Sequence, residues 1–342
     1  MRERCFGTLS RRQVGSFLRM IGFDGFILSV HAAVIVALVF PVSGPAVPWV
    51  DGLAGFSIGV LFFLYGVRIA PWDAVAGLTH WRLHLTVLTF TFVVFPVIGV
   101  ALRWVPDAVL DPRLYAGILF TCLVPSTVQA SIAFTALAGG NVPGAITSAS
   151  ASNLFGMFLT PALAFVLMST TGQMGSPGSA ALGIAVQLFL PFVLGQLARP
   201  LVSGWVARHA GTLKYVGRES VVLIVYSAFS AGERDGVWES VARTALLQLT
   251  LLSMAVVAFM LWFTRFAAER MGFERPDVRA IQFCGTKKAL VSGLPMAAVL
   301  FAGQPVGQIV LPLMVFHQVQ LMMGAWLANR YRRTLATEDG SP

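Results

Sequence analysis

Leu123-Val124-Pro125-Ser126-Thr127-Val128-Gln129-Ala130-Ser131 and Cys284-Gly285-Thr286-Lys287-Lys288-Ala289-Leu290-Val291-Ser292-Gly293 each interrupt an apolar run where a membrane-spanning helix is ordinarily least polar. Pro125 removes a helix hydrogen bond, Gly285 and Gly293 weaken helix, and the nearby hydroxyls offer partners to the backbone groups set free. Each interruption leads into a related turn. Leu137-Ala-Gly-Gly-Asn-Val-Pro-Gly-Ala-Ile146 matches Leu300-Phe-Ala-Gly-Gln-Pro-Val-Gly-Gln-Ile309 at a constant offset of 163 residues. The chain therefore reads as a duplication, and paired broken segments in corresponding halves are the best sequence pointer to a transport site near the bilayer midplane.

The surrounding sequence agrees. Of its 342 residues 56% are apolar and 11% charged, where a soluble domain carries about a quarter charged residues. The mean hydropathy is +0.77. Apolar character runs along the whole chain, which excludes a soluble protein on a single anchor. A helix needs roughly 20 apolar residues to cross hydrocarbon, and that ruler predicts spans at 24–41, 51–69, 82–104, 114–138, 143–168, 180–200, 214–231, 242–266, 278–301 and 306–329. An even number of spans returns both termini to one side. On that plan 18 Lys and Arg lie on the side of the termini and 4 on the other, so both termini are expected in the cytoplasm. Five spans per half is odd, so the halves must be inverted. The expected fold is an all-α polytopic membrane protein of ten transmembrane helices in two inverted five-helix repeats. Its parts are a cytoplasmic segment 1–23, a first repeat 24–168, a linker 169–179, a second repeat 180–330 and a cytoplasmic tail 331–342.

A net charge of +9 would suggest nucleic acid in a soluble chain; here the basic residues sit between apolar runs and read as topology determinants. No nucleic-acid partner is expected. Cys5, Cys122 and Cys284 are too few and scattered for a disulfide framework or a metal cluster. The arginines before Phe26–Phe40 imitate a signal peptide, but no small-residue cleavage site follows, so the stretch reads as a lead-in to the first helix.

Inside the two interruptions, Ser126, Thr127, Gln129 and Ser131 suit a binding site, and equally the hydroxyl-mediated packing that glues membrane helices. Lys287 and Lys288 are more telling. A centred lysine costs about 2.5–3.5 kcal/mol on insertion scales and ordinarily faces a cavity or a partner. No Asp or Glu falls near the middle of a predicted span, so the intramembrane charge is positive and no carboxylate cation site is visible. His317, with Gln318 and Gln320 on the last span, and His31 on the first are the other polar groups at depth; a histidine there is a candidate proton relay.

The runs Phe62-Phe-Leu-Tyr-Gly66, Gly77-Leu-Thr-His-Trp-Arg-Leu-His84, Phe90-Thr-Phe-Val-Val-Phe-Pro96, Val124 to Thr135, Gly140-Asn141, Ser152-Asn153-Leu-Phe-Gly156 and Cys284-Gly-Thr-Lys-Lys288 resemble, in order, the bile acid:sodium symporter superfamily. Within it the chain is similar to the SBF-like branch that contains solute carrier family 10 member 7. The resemblance implies core and panel domains, each drawn from both repeats, with discontinuous helices 4 and 9 crossing at the substrate and sodium sites. Thr135, Asn153, Thr286 and Ser292 lie in or beside these stretches and complete the candidate site. Sodium-coupled relatives carry a Ser-Asn pair on helix 4, where this chain has Ser131-Ile132. They carry a Glu and then a Gln on helix 9, where it has Thr286 and Leu290. A crossover lysine is therefore expected to supply the charge that sodium supplies in relatives, and the coupling ion, sodium or proton, stays open.

The expected activity is secondary transport of an organic anion within the lipid bilayer of the cell membrane, without a cofactor. A channel would show a selectivity motif, and an intramembrane enzyme a HExxH motif or paired aspartates; neither occurs. A regulatory membrane protein affecting ion homeostasis is the remaining alternative.

Overall fold

The computed structural model describes residues 25–68, 80–106, 110–170, 184–236, 238 and 243–338; they are helical with short connections and no strand. The helices are α1 (Gly25–Val39), α2 (Val47–Arg68), α3 (Trp81–Trp104), α4 (Pro112–Leu123), α5 (Gln129–Leu137) and α6 (Val142–Thr170). There follow α7 (Leu190–Arg208), entered through a π turn at Ile184–Phe189, α8 (Ala210–Arg234), α9 (Arg243–Arg270), α10 (Arg275–Thr286), α11 (Leu290–Leu300) and α12 (Val306–Glu338). Six stretches are each long and apolar enough to cross a membrane: Gly44–Arg68, Trp81–Trp104, Val142–Met168, Val186–Arg208, Thr244–Arg270 and Val306–Leu335. The chain is an all-helical, multi-pass membrane protein. Its apolar surface fits that solvent: Leu201 is 87% exposed and Leu197 70%, which water would penalise and lipid accepts.

The stretches expected at 114–138 and 278–301 are each two helices, broken at 124–128 and 287–289. Other boundaries move outward. The expected gap between 200 and 214 is absent, since α7 ends at Arg208 and α8 begins at Ala210. Basic turns carrying Arg199, Arg208 and Lys214 stay helical beyond the apolar stretch that hydropathy detects. For the same reason α12 continues to Glu338 through Arg330, Arg332 and Arg333, so no structural break marks the expected tail at 331. The expected segment 1–23 and most of the linker 169–179 lie outside the described residues.

The helices pack in two groups. In one, α7 lies along α2, and α8 packs on α1 and α2. In the other, α10 is enclosed by α3, α5, α6 and α9, while α12 packs on α4, α5, α9 and α11. The groups meet where α8 touches α11 and α12. Within the smaller group, backbone approaches backbone: a Cβ on Gly66 would collide with the Phe192 carbonyl oxygen, and one on Gly195 with the Phe63 carbonyl oxygen. Small residues permit this close crossing, from which membrane helices draw their dispersion energy. Gly66→Leu or Gly195→Leu is expected to lower stability by about 2 kcal/mol or more through overpacking, measured by thermal unfolding in detergent. Gly204→Leu, where a side chain meets open space, should leave the melting temperature in place.

Candidate functional site

An interrupted membrane helix must find partners for the carbonyls and N–H groups it releases. The break after α4 does so through side chains. Thr160 Oγ1 donates to the Leu123 carbonyl at 2.8 Å, and Asn153 Nδ2 donates to the Ser126 carbonyl at 2.7 Å. The Ser126 N–H donates to Ser152 Oγ at 3.0 Å, and the Pro125 carbonyl accepts the Ala289 N–H from the other break at 2.8 Å. The end of α10 is served reciprocally: Ser126 Oγ donates to the Cys284 carbonyl at 2.6 Å and Ser131 Oγ to the Phe283 carbonyl at 3.3 Å. The two interruptions are thus one hydrogen-bonded unit.

Lys288 closes that unit. Its Nζ, fully buried, donates to the carbonyls of Thr91 at 3.0 Å, Cys122 at 2.8 Å and Val124 at 2.9 Å. Three acceptors match the three donors of an ammonium, and two of them belong to the C-terminal end of α4, whose partial negative charge favours a cation. The third acceptor has a local cause. Phe90–Val94 forms a π turn in which the Phe95 N–H bonds to the Phe90 carbonyl; in that register the Thr91 carbonyl would be served by residue 96, which is a proline without an N–H. The Phe95 ring also sits 4.2 Å from the ammonium, within range of a cation–π attraction.

Lys287 points the other way. Its Nζ donates to the Gln320 carbonyl at 2.8 Å and lies over the Phe134 ring at 4.5 Å. It occupies space that a Cβ at Gly324 would need. The Gln320 side chain grips the backbone of Lys288, accepting its N–H at 2.7 Å on Oε1 and donating to its carbonyl at 2.7 Å from Nε2. Among the described residues no carboxylate touches either lysine.

Beside the unit lies a cavity of about 830 Å³ between the helix groups. Its outer part holds Arg68 at the end of α2 together with Lys214 and Arg218 on α8; apolar residues including Leu61, Leu64, Phe134 and Leu321 form the walls. Beside the breaks it is lined by buried Thr127, Ser292 and His317, half-buried Asn153 and exposed Gln129. No carboxylate is among its described lining residues.

The candidate residues fall into two sets. Thr127, Gln129, Asn153, Ser292 and His317 line the cavity. Ser126, Ser131, Lys287 and Lys288 lie behind its wall, holding backbone. Thr286 Oγ1 bonds back to the Gln282 carbonyl at 2.7 Å, and Thr135 Oγ1 is buried without a partner. Of the expected helix-breaking residues only Pro125 lies in a break. Gly285 belongs to the last turn of α10 and Gly293 to the first of α11, where their smallness admits neighbours: a Cβ would come within 3.3 Å of Phe90 Cβ or 2.6 Å of Leu313 Cδ2. The sequence reading missed the cavity role of Arg68, Lys214 and Arg218, which read as topology charges, and that of the Thr91 carbonyl, whose signal is Pro96.

A family model described as the SBF-like CPA transporter family matches residues 24–333. A protein of Pseudomonas aeruginosa named only as uncharacterized is 47% identical over 91% of this chain and 93% of its own. YfeH of Escherichia coli, provisionally named a symporter, is 43% identical over the same shares. The protein named sodium/bile acid cotransporter 7 in Rattus norvegicus is 26% identical over 90% of this chain and 93% of its own.

The hydrogen-bond geometry ranks the two lysines. Lys288→Met leaves three buried carbonyls without a donor and is expected to lower stability by about 3 kcal/mol, whereas the one carbonyl that Lys287 meets, that of Gln320, lies inside α12 and keeps its helical partner, so Lys287→Met should lose about 1 kcal/mol or less. Thermal unfolding of both variants in one detergent measures the difference; equal losses would contradict the ranking.

Proposed function

We propose that this chain, which belongs to the SBF-like CPA transporter family, carries an amphipathic organic anion across the membrane as a secondary transporter working by alternating access. The observation that supports an anion is the cavity: apolar walls, a mouth holding Arg68, Lys214 and Arg218, and no carboxylate among the described lining residues. Pockets of such size enclose most of a drug-sized ligand, with a few polar groups fixing its orientation. Transport in the relatives' names, and the absence of an HExxH motif or paired intramembrane aspartates in the sequence, favour a carrier over an enzyme.

On this reading α4 with α5, and α10 with α11, are each one interrupted crossing, giving ten passes in two inverted halves, 24–168 and 180–330. The helices α1, α2, α7 and α8 form the panel and the others the core. The 163-residue repeat and the two packing groups support that division, and the charge asymmetry of the loops supports cytoplasmic termini. The cationic mouth then opens inward.

Lys288 takes the place of a coupling cation in this scheme. A sodium ion would sit where backbone carbonyls and half-helix ends converge, and here a tethered ammonium fills that role by donating to the carbonyls of Thr91, Cys122 and Val124. Transport of the anion therefore does not need sodium.

Uptake of a panel of radiolabelled organic anions into proteoliposomes tests both parts. Saturable uptake that is unchanged when potassium replaces sodium is expected, with its loss in Lys288→Ala. Sodium-driven uptake would overturn the coupling proposal, and wild-type flux in Lys288→Ala would remove the lysine from the mechanism. Lys214→Gln with Arg218→Gln should raise KM about tenfold for every anion carried, as two charge-assisted contacts are lost.

A further inference from the structure

One face of α8 changes its surroundings halfway along. Lys214, Gly217 and Arg218 line the cavity, and residues three or four apart on a helix share a face, so the same face continues through Val221, Val225, Ala228 and Gly232. There the cavity has ended, and Val221 and Val225 are fully buried. At the far end α8 meets the first turn of α12, where a Cβ on Gly307 would lie 3.3 Å from the Ala228 carbonyl oxygen. The two helix groups are thus parted by the cavity at one end of α8 and closed at the other.

Trp238, in the connection from α8 to α9, sits in that closure. Its ring stacks on Phe229 of α8 with centroids 4.8 Å apart and planes 10° from parallel, and its Nε1 donates to the Phe229 carbonyl at 3.3 Å. A Cβ on Gly232 would come within 3.0 Å of the indole Nε1, and one on Gly307 within 2.7 Å of Cζ2. Two glycines, one from each helix group, make the seat.

The sequence holds a second copy of this set. Phe229-Ser-Ala-Gly232-Glu-Arg234-Asp-Gly-Val-Trp238 at the end of α8 matches Phe63-Leu-Tyr-Gly66-Val-Arg68-Ile-Ala-Pro-Trp72 at the end of α2, with Phe, Gly, Arg and Trp in register at an offset of 166 residues. Trp72 lies outside the described residues. The described parts of the two copies have different surroundings. Arg68 lines the cavity, whereas Arg234 Nη1 donates to the Val42 carbonyl at 2.8 Å and Phe229 is 1% exposed. On the inverted plan corresponding helix ends lie at opposite faces of the membrane, so one copy borders the open end and the other the closed end.

We infer that Trp238 is the gate at the closed end: its indole, seated between Gly232 and Gly307 and stacked on Phe229, holds the helix groups together there and keeps the cavity open only at the other end. The inference rests on the alternating-access reading and assigns to that cycle the contact that must break. Opening the far side strips the indole from Gly307 and brings water to the face of α8 at Val225. Removing the indole weakens the closed arrangement and leaves the cavity-lining residues unchanged, so the population moves toward the state in which the far side is open.

Maleimide labelling of the full-length protein in nanodiscs, where both faces meet the reagent, tests this with two reporters in a Cys5→Ser background. Val225→Cys reports the closed half and Gln129→Cys the cavity; the native Cys122 and Cys284 are buried. Trp238→Ala is expected to raise the labelling rate at Val225→Cys about tenfold, the worth of one aromatic stack, and to lower the rate at Gln129→Cys. Gly307→Ala, whose Cβ takes space from the indole, should act in the same direction, and Trp238→Phe, which keeps a ring for Phe229, should act less. Unfolding raises both rates, so a joint rise would reduce Trp238 to a packing residue and refute the gate. If Val225→Cys is labelled slowly with Trp238 in place and Trp238→Ala leaves that rate unchanged, the gate is refuted and alternating access stands. If Val225→Cys is never labelled in any of these folded variants, the far side does not open, and the alternating-access reading falls together with the gate.

Discussion

Everything in this fold turns on the carbonyl groups released where α4 stops inside the protein. In lipid no water is available to meet them, and each unsatisfied group costs several kcal/mol. The chain meets Leu123 and Ser126 with side chains from α6, Pro125 with a backbone N–H from the second break, and Cys122 and Val124 with an ammonium. Because these partners come from α6 and from the break that joins α10 to α11, satisfying one broken helix ties it to the other and to α6.

A lysine at that position must itself be made tolerable. Burial of an isolated ammonium is expensive, and here three carbonyls and the Phe95 ring replace its hydration shell. Two of the acceptors come from a helix end and one from a π turn made receptive by Pro96. Gln320 then holds the lysine's own backbone by bonding both its N–H and its carbonyl. The same glutamine meets His317 Nδ1 at 2.8 Å through its Nε2, so the residue that stabilises the break also contacts a histidine of the cavity wall.

Much of this was legible in the sequence. Pro125 cannot continue a helix ladder and the Lys287–Lys288 pair is too polar for an uninterrupted span, and they mark the two breaks. What failed to show was which side chains face the cavity. Ser126, Ser131 and Asn153 look alike as small polar groups, yet the first two serve backbone from behind the wall while the third both serves backbone and lines the cavity; that division depends on helix rotation, which spacing does not specify. Arg68, Lys214 and Arg218 were visible only as loop charges, because their convergence requires α2 to pack against α8 across some 150 residues of intervening chain. Gly285 and Gly293 misled for a related reason. A glycine in an apolar run signals either a break or a close approach, and both proved to be approaches.

A tethered ammonium changes the energetics of a carrier in a way a bound ion does not. Sodium enters from one side and leaves on the other, so its gradient does work on the substrate in each cycle; a lysine never leaves, so it contributes a constant electrostatic field and no driving force. On the proposed reading, the free energy for anion movement then comes from the anion's own gradient and from the membrane potential, which opposes entry of a negative charge into a cell by about 2.3 kcal/mol per 100 mV. An inside-negative membrane would thus drive the anion outward, and the inward-facing mouth with its three cations is suited to collecting it from the cytoplasm against the screening of dissolved salt. On the same reading, import by this protein would require a proton carried with the anion, and His317 at the cavity wall is poorly placed to receive one, because its Nδ1 already accepts from Gln320 Nε2 and a neutral imidazole has one basic nitrogen.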